Sequence, residues 1–183
     1  MLEYEERYGP QEIAKRIQDV GQRISADYPQ SQIVLIAVLK GAGIFMADLA
    51  RTLSRPLRLE YIDVIKGGEE DEIKNFQFVT SFPIKDMDVI ILKDVIRTGV
   101  IETYLLNQLR EEGPRSIRFA SLVDRPQERK SSLFVDYVLF PSEEGVLVGY
   151  GMEYKGEGGN FPFIAQVRTP GDPPFDAGRE RPS

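Results

Sequence analysis

The run from Val89 to Val100, VIILKDVIRTGV, places Lys93, Asp94, Arg97, Thr98 and Gly99 directly after a string of apolar residues. The string reads as a buried strand, Thr98-Gly99 as the turn that leaves it, and the residues beyond as the start of a helix. Free backbone amides and the positive end of the helix dipole make such a start an anion site suited to phosphate. By spacing alone, an ordinary strand-to-helix turn fits equally well. A second place of this kind follows QIVLIAVL, Gln32 to Leu39, where Lys40 precedes Gly41, Ala42 and Gly43. A lone lysine is more often a solvated surface charge. A strand end ahead of glycines favours a cation facing a ligand instead.

The chemistry open to these places is bounded by composition. The 183 residues include no cysteine and no histidine. Thiol catalysis, disulfides and cysteine-based zinc sites are therefore excluded, and proton transfer near neutral pH falls to carboxylates, lysine, tyrosine or solvent. The net charge of -6 argues against broad nucleic-acid affinity and leaves room only for a local basic pocket. No apolar run approaches the roughly 20 residues that span a bilayer, and the acidic start MLEYEERYG is unlike a signal peptide. A cytoplasmic protein is the expectation.

The elements that must position these residues are legible as patterns. Behind Gly9 and Pro10, the spacing of Ile13, Ile17, Val20 and Ile24 predicts a first helix with one apolar face. QIVLIAVL and MDVIIL are apolar enough to be strands covered on both faces. After Lys40 an apolar helix runs to near Leu53, and another from Gly99 to Glu112 is expected to bury Ile101, Tyr104, Leu105 and Leu109 before Gly113 and Pro114 stop it. Between Leu57 and Phe82, LRLEYIDVI and NFQFVTSF flank the acidic KGGEEDEIK, which predicts a hairpin or a mobile flap. SIRFASLV, FVDYVLF and VLVGYGM read as further strands. Alternating strands and helices imply an α/β fold with a mainly parallel sheet, whose strand ends gather ligands on one edge. Residues 1–168 are expected to form one domain, with 169–183 as a flexible tail rich in Pro, Gly and charge.

On these residues VIILKDVIRTG resembles the binding motif for phosphoribosyl pyrophosphate (PRPP) of type I phosphoribosyltransferases. There a buried strand ends in two acids, two apolar residues, another acid, Thr and Gly. Four more segments are similar, in the same order, to the hypoxanthine-guanine branch: VLKGAGIF to its pyrophosphate loop, SLVDRP to its purine-contacting loop, then VDYVLFP and VLVGYGMEY. The resemblance runs from about Gln32 to Val167. It implies a central, mainly parallel sheet flanked by helices with a small hood, PRPP or a purine nucleotide as ligand, Mg2+ as metal, and a homo-dimer or homo-tetramer.

Residue by residue, the resemblance puts Lys40 and Gly41 in the pyrophosphate loop, where family members have a cis peptide between Leu and Lys. Asp94 matches one of two acids that hydrogen-bond the ribose hydroxyls, and Lys93 stands in place of the other. Thr98, Gly99, Val100 and Ile101 match the 5′-phosphate loop, with Ile101 where a hydroxyl residue is usual. Arg125 takes the place of a lysine that donates to the purine 6-oxo group. Val146 replaces the aromatic that stacks on the purine, while the backbone around Leu147 and Val148 remains able to meet the base edge. Glu153 matches the acidic magnesium ligand with one extra methylene. Near Gly159 the family has an arginine that contacts pyrophosphate, whereas this chain has no arginine between Arg129 and Arg168.

Arg97 is the sharpest departure. It stands where the purine branch has an aspartate, proposed to accept a proton from purine N7 or to stabilise the cationic transition state. Guanidinium stays protonated and cannot act as a base. No catalytic residue is therefore assigned. The leading reading is a family member that binds PRPP or a phosphorylated purine nucleotide with transfer weakened or lost. Lys93 and Arg97 beside a helix start would favour an anion richer in phosphate than a nucleoside monophosphate. The alternatives are an active hypoxanthine, guanine or other-base phosphoribosyltransferase in salvage, and a non-catalytic interaction protein.

Overall fold

The computed structural model describes residues 2–66, 73–78, 83–141 and 145–169. Along the chain, β1 (Tyr4–Tyr8) leads into α1 (Pro10–Asp27), β2 (Ile33–Val38), α2 (Ala42–Thr52), β3 (Arg58–Lys66) and β4 (Ile73–Phe78). Then come β5 (Asp88–Ile96), α3 (Val100–Glu111), β6 (Ser116–Asp124), a single 3-10 turn (Pro126–Glu128), β7 (Tyr137–Pro141), β8 (Val146–Val148) and β9 (Ile164–Val167). No described helix is long and apolar enough to cross a membrane.

The main sheet has the order β4-β3-β2-β5-β6-β7, in which only β4 runs antiparallel to its neighbour, β3. Every residue of β2 is buried, as its continuous apolar sequence requires, because helices cover both faces of the sheet. On one face Ile33, Leu35, Ile90 and Leu92 pack with Ile13, Ile17 and Ile24 of α1 and Phe45 and Leu49 of α2. On the other, Val34, Ile36, Val89 and Ile91 pack with Leu105 and Leu109 of α3. The two ends of the chain meet in a small antiparallel sheet of order β1-β9-β8, where Tyr4 pairs with Val167. This is the expected hood. It joins the larger core through Leu147, Tyr150, Met152 and Ile164.

Helix α1 starts where Gly9, extended at φ -77°, hands over to Pro10, whose missing N–H has no partner to lose at a helix start. Its buried stripe is Ile13, Ile17, Val20, Gly21 and Ile24. Gly21 lets α1 approach α2 so closely that a methyl group there would overlap the Thr52 side chain. Alanine is the better helix former by about 1 kcal/mol. Even so, we expect Gly21→Ala to lower unfolding stability by about 1–3 kcal/mol, because prising apart a packed pair costs more than propensity returns. A denaturant midpoint that rises on substitution would contradict this.

The structure corrects some expected details. In α3, Tyr104 is 48% exposed and Ile101 only partly buried, while Glu102, at 5% exposure, joins Leu105 and Leu109 on the sheet-facing stripe. Those three stand at i, i+3 and i+7, the spacing of one helix face, and apolarity misled at 101 and 104. The seventh strand begins only at Tyr137 because the Asp136 side chain accepts the Phe119 amide at 2.9 Å and Phe134 lies 76% exposed. Strand β8 stops at Val148, where Gly149, Tyr150 and Gly151 all take positive φ. β3 and β4 form the expected hairpin. Most of its connector, 67–72, and the expected tail beyond Thr169 lie outside the described residues.

Candidate functional site

Because β2, β5 and β6 run parallel and adjacent, their carboxyl ends share one edge of the sheet. Lys40 follows β2, Lys93 to Ile96 end β5 with Arg97 and Thr98 just beyond, and Arg125 follows β6, its amide donating to Ile96 O at 2.9 Å. The edge thus collects three segments that are distant in sequence. The Leu39–Lys40 peptide is cis. Gly41 presses so close to Asp94 that a Cβ would overlap its carboxylate, and a Cβ on Gly151 of the hood would lie 2.5 Å from Gly41 O. Strand end, acid and hood therefore meet at Gly41.

The turn between β5 and α3 has Gly99 in the left-handed region at φ 74°. A side chain there would collide with Ser131 and Arg129, so glycine is required on two counts. Thr98 Oγ1 accepts the Val100 amide at 3.4 Å, and Lys130 N donates to Thr98 O at 2.9 Å. Thr103 Oγ1 donates back to Gly99 O at 2.7 Å. The turn is thus fixed by backbone and neighbouring hydroxyls, with the first amides of α3 at its mouth. Val100 is half exposed and Ile101 partly buried.

Ion pairs line this edge. Lys93 Nζ donates to Asp94 Oδ1 at 2.5 Å, and the same oxygen accepts the Val95 amide at 2.8 Å. Arg97 Nε donates to Glu128 Oε2 at 2.8 Å, while Arg125 Nη1 reaches Glu128 Oε1 at 3.3 Å. Arg125 also donates through Nη2 to Gly145 O at 2.6 Å, tying the entry of β8 to the end of β6. Burial would raise the Glu128 carboxyl, but the hydrogen bond and charge of Arg97, then Arg125, outweigh it and hold the group below its ordinary range. Arg129 pairs with Asp124 beside the Gly99 turn, and its Nη1 is buried without a partner among the described residues.

Glu102, on the inner face of α3, has its carboxyl pushed up by burial, with Lys93 the first of the charges that oppose this. An acid whose folded pKa is raised above its ordinary 4.5 weakens folding as pH climbs past 4.5, because the folded chain resists losing the proton. We therefore expect Glu102→Gln to raise the melting temperature at neutral pH, with the gain shrinking to nothing below about pH 4.5. Melting curves across that range check it. A gain that persists at pH 4 would contradict the assignment.

In the hood, strand alternation sends Leu147 into the main core, while half-buried Val146 packs with Val148, Phe161 and Phe163 on the other side. Tyr150, at φ 52°, donates its hydroxyl to Asp48 of α2, and burial followed by that bond pushes its pKa well up. Glu153 is exposed and lies against Gly159, where a Cβ would be 2.8 Å from its Cγ. No group of three or more potential ligand side chains surrounds a metal position among the described residues.

The structure therefore brings Lys40, Gly41, Lys93, Asp94, Arg97, Thr98, Gly99 and Arg125 to one edge, and ties Gly145, just ahead of Val146 to Val148, to Arg125. Sequence reasoning missed Glu102, Glu128, Arg129 and the Tyr150–Asp48 contact. Glu128 follows a Pro126 that opens a turn, and it is an acid within reach of a misplaced arginine. That was the only available signal.

A mainly parallel sheet with a hood, and strand ends that lead into a glycine turn before α3 and a lysine-glycine turn before α2 on one edge, make the phosphoribosyltransferase fold. The family model for the phosphoribosyl transferase domain matches residues 5–155, and the chain belongs to that family. Among similar relatives is the hypoxanthine-guanine phosphoribosyltransferase of Bacillus subtilis strain 168, 31% identical over 165 residues that cover 86% of this chain and 89% of the relative. A crystal structure of a hypoxanthine-guanine phosphoribosyltransferase from Bacillus anthracis superposes with a TM-score of 0.85 at 27% identity, covering 92% of this chain and 100% of that one. A mutant hypoxanthine phosphoribosyltransferase from Trypanosoma cruzi, complexed with the product IMP, gives 0.84 at 29% identity over 91% and 92% of the two chains.

Proposed function

We propose that this purine phosphoribosyltransferase-family protein binds PRPP or a phosphorylated purine nucleotide and carries out transfer weakly or not at all. One observation carries the reading: the charge at the sugar and acid positions is inverted and internally paired. Asp94 Oδ1 is shared between Lys93 Nζ and the Val95 amide, and Arg97 is fastened to Glu128. A carboxylate so engaged offers fewer lone pairs to ribose hydroxyls, and guanidinium gives no base. The amides at the start of α3 are untouched by those changes and supply the phosphate contacts. Glu153 would hold Mg2+ together with pyrophosphate oxygens of the ligand, in keeping with a metal that needs only one or two protein carboxylates. A cytoplasmic homo-dimer or homo-tetramer belongs to the same reading, as does the division into a domain of 1–168 and a tail of 169–183.

An active salvage enzyme is the second reading, and Glu128 favours it by keeping a carboxylate beside position 97. Shared between two guanidiniums, that carboxylate is a weak proton acceptor, which ranks this reading second. The test is thermal unfolding with PRPP, purine nucleotides and multiply phosphorylated guanosines, with and without magnesium. Ligand at about 100 times its Kd stabilises by about 2.7 kcal/mol, a readily measured shift. We expect at least one phosphorylated ligand to raise the melting temperature. Failure of all of them would remove the proposal.

A further inference from the structure

Glu102 sits in the first turn of α3 with 5% of its surface exposed, on the helix face that carries Leu105 and Leu109. Charged groups face it from two elements: Lys93 and Asp94 from β5, and Arg129 from the segment after the 3-10 turn. Both cations are already held by other carboxylates. Lys93 Nζ donates to Asp94 Oδ1 at 2.5 Å, and Arg129 pairs with Asp124 at the end of β6. Those four charges cancel, so an ionised Glu102 adds an unbalanced negative charge in a buried place. Burial pushes its carboxyl up, Lys93 and the Glu102 amide oppose the rise, Asp94 adds to it, and Arg129 opposes it.

The same turn is where the proposed function seats a phosphate. The first bond inside α3 runs from Thr103 N to Gly99 O at 2.9 Å, so the Val100, Ile101 and Glu102 amides lie ahead of it without an acceptor in the helix. Val100 N donates to Thr98 Oγ1 at 3.4 Å, and the Glu102 amide donates to its own carboxylate. An ionised Glu102 therefore draws on the amides that an incoming anion needs.

We propose that Glu102 makes anion binding at the turn ahead of α3 proton-linked: its carboxylate takes a proton from solvent as the anion seats, and affinity weakens as pH rises. The inference rests on the proposed function, which places a phosphate at this turn, and it adds the regulation of that site. With Glu102 neutral, the ligand is the one negative group in the first turn of the helix. With Glu102 ionised, two like charges share that turn and its dipole. Linkage is reciprocal, so an anion that prefers the protonated chain must itself favour protonation. Because the free carboxyl already titrates above its ordinary 4.5, affinity is full near that pH, falls as the free chain loses the proton, and levels off once the bound chain has lost it too.

Inorganic sulfate is the probe for the test, since it has no proton to lose in this range and adds no titration of its own. Sulfate titrations of the full chain between about pH 5 and about pH 8, followed by amide NMR, should shift the Val100 to Glu102 amides, with affinity about fivefold or more weaker at the alkaline end. The Glu102 carboxyl carbon, read in the same samples and again with PRPP, should titrate at higher pH with ligand than without. Glu102→Gln should bind sulfate with nearly constant affinity across the range, close to the acid-end value of the wild type. A merely structural role would change the affinity of the variant by one factor at every pH and leave the slope intact. Equal slopes in wild type and Glu102→Gln overturn the inference, as does sulfate binding that leaves those three amides unshifted. PRPP binding that leaves the Glu102 titration in place overturns this inference alone, whereas binding of neither PRPP nor sulfate removes the proposed function with it. Should Glu102→Gln fail to fold, the wild-type carboxyl titration still decides.

Discussion

Arg97→Asp should raise phosphoribosyl transfer to hypoxanthine or guanine by about tenfold to a hundredfold over the unmodified chain, read as kcat/KM with PRPP and magnesium. The substitution removes a fixed positive charge beside the developing ribosyl cation and restores a group able to accept a proton. General-base help is worth about a factor of 10² to 10⁴, and Lys93 and Val146, which remain, hold the gain to the bottom of that range or up to about tenfold below it. The structure adds a reason for the gain. The introduced carboxylate would face Glu128, which now has Arg97 at 2.8 Å and Arg125 at 3.3 Å. Two carboxylates sharing Arg125 cannot both hold low pKa values, so one moves up toward the working pH, where a base is most effective. Adding Lys93→Glu should raise the rate further, since it frees Asp94 Oδ1 from the ammonium and returns an acceptor to the ribose hydroxyls. Rates unchanged or lower in Arg97→Asp, with the fold intact by circular dichroism, would mean that position 97 does not limit the reaction.

Gly41→Ala should weaken PRPP or nucleotide binding by about a hundredfold, as expected where a key group is displaced by an ångström or so. A Cβ at Gly41 has nowhere to go but into the Asp94 carboxylate, and on the other side Gly41 O already meets the backbone of Gly151. Relief of the overlap must move Asp94, the lysine loop or the hood, and all three converge on the proposed ligand. Gly43→Ala is the control. It lies in the same helix start, yet a Cβ there meets nothing within 4 Å, so binding should be unchanged and stability equal or slightly improved. Titration of both variants decides the matter. Equal loss in the two would indicate that loop entropy, not the Asp94 contact, is at work.

Much of this architecture was legible because it rests on local patterns. Strands buried on both faces must be apolar throughout, which identified β2 and β5. The i, i+4 spacing of Ile13 and Ile17 identified the inner face of α1. Parallel order then brought Lys40, Asp94 and Thr98 to one edge without any coordinates. What escaped depends on pairings between residues far apart in sequence. Arg97 and Glu128 are 31 positions apart and Tyr150 and Asp48 102 apart, and neither spacing leaves a trace in local periodicity. Glu102 escaped for a different reason: a carboxylate on a helix reads as a solvated charge, and only the sheet packed against α3 turns it inward.

On the proposed function, the turn ahead of α3 retains ligand while the reversed charges at 93 and 97 suppress chemistry. Steady-state transfer by the unmodified chain, with PRPP, magnesium and hypoxanthine or guanine, measured beside the affinity for PRPP in the same buffer, tests it most directly. Measurable PRPP binding is expected, with a turnover at least about a hundredfold below the typical enzyme value of about 10 s⁻¹. Binding accompanied by turnover near that typical value would contradict it, and would make Glu128 the first residue to examine as the acid that Arg97 displaced.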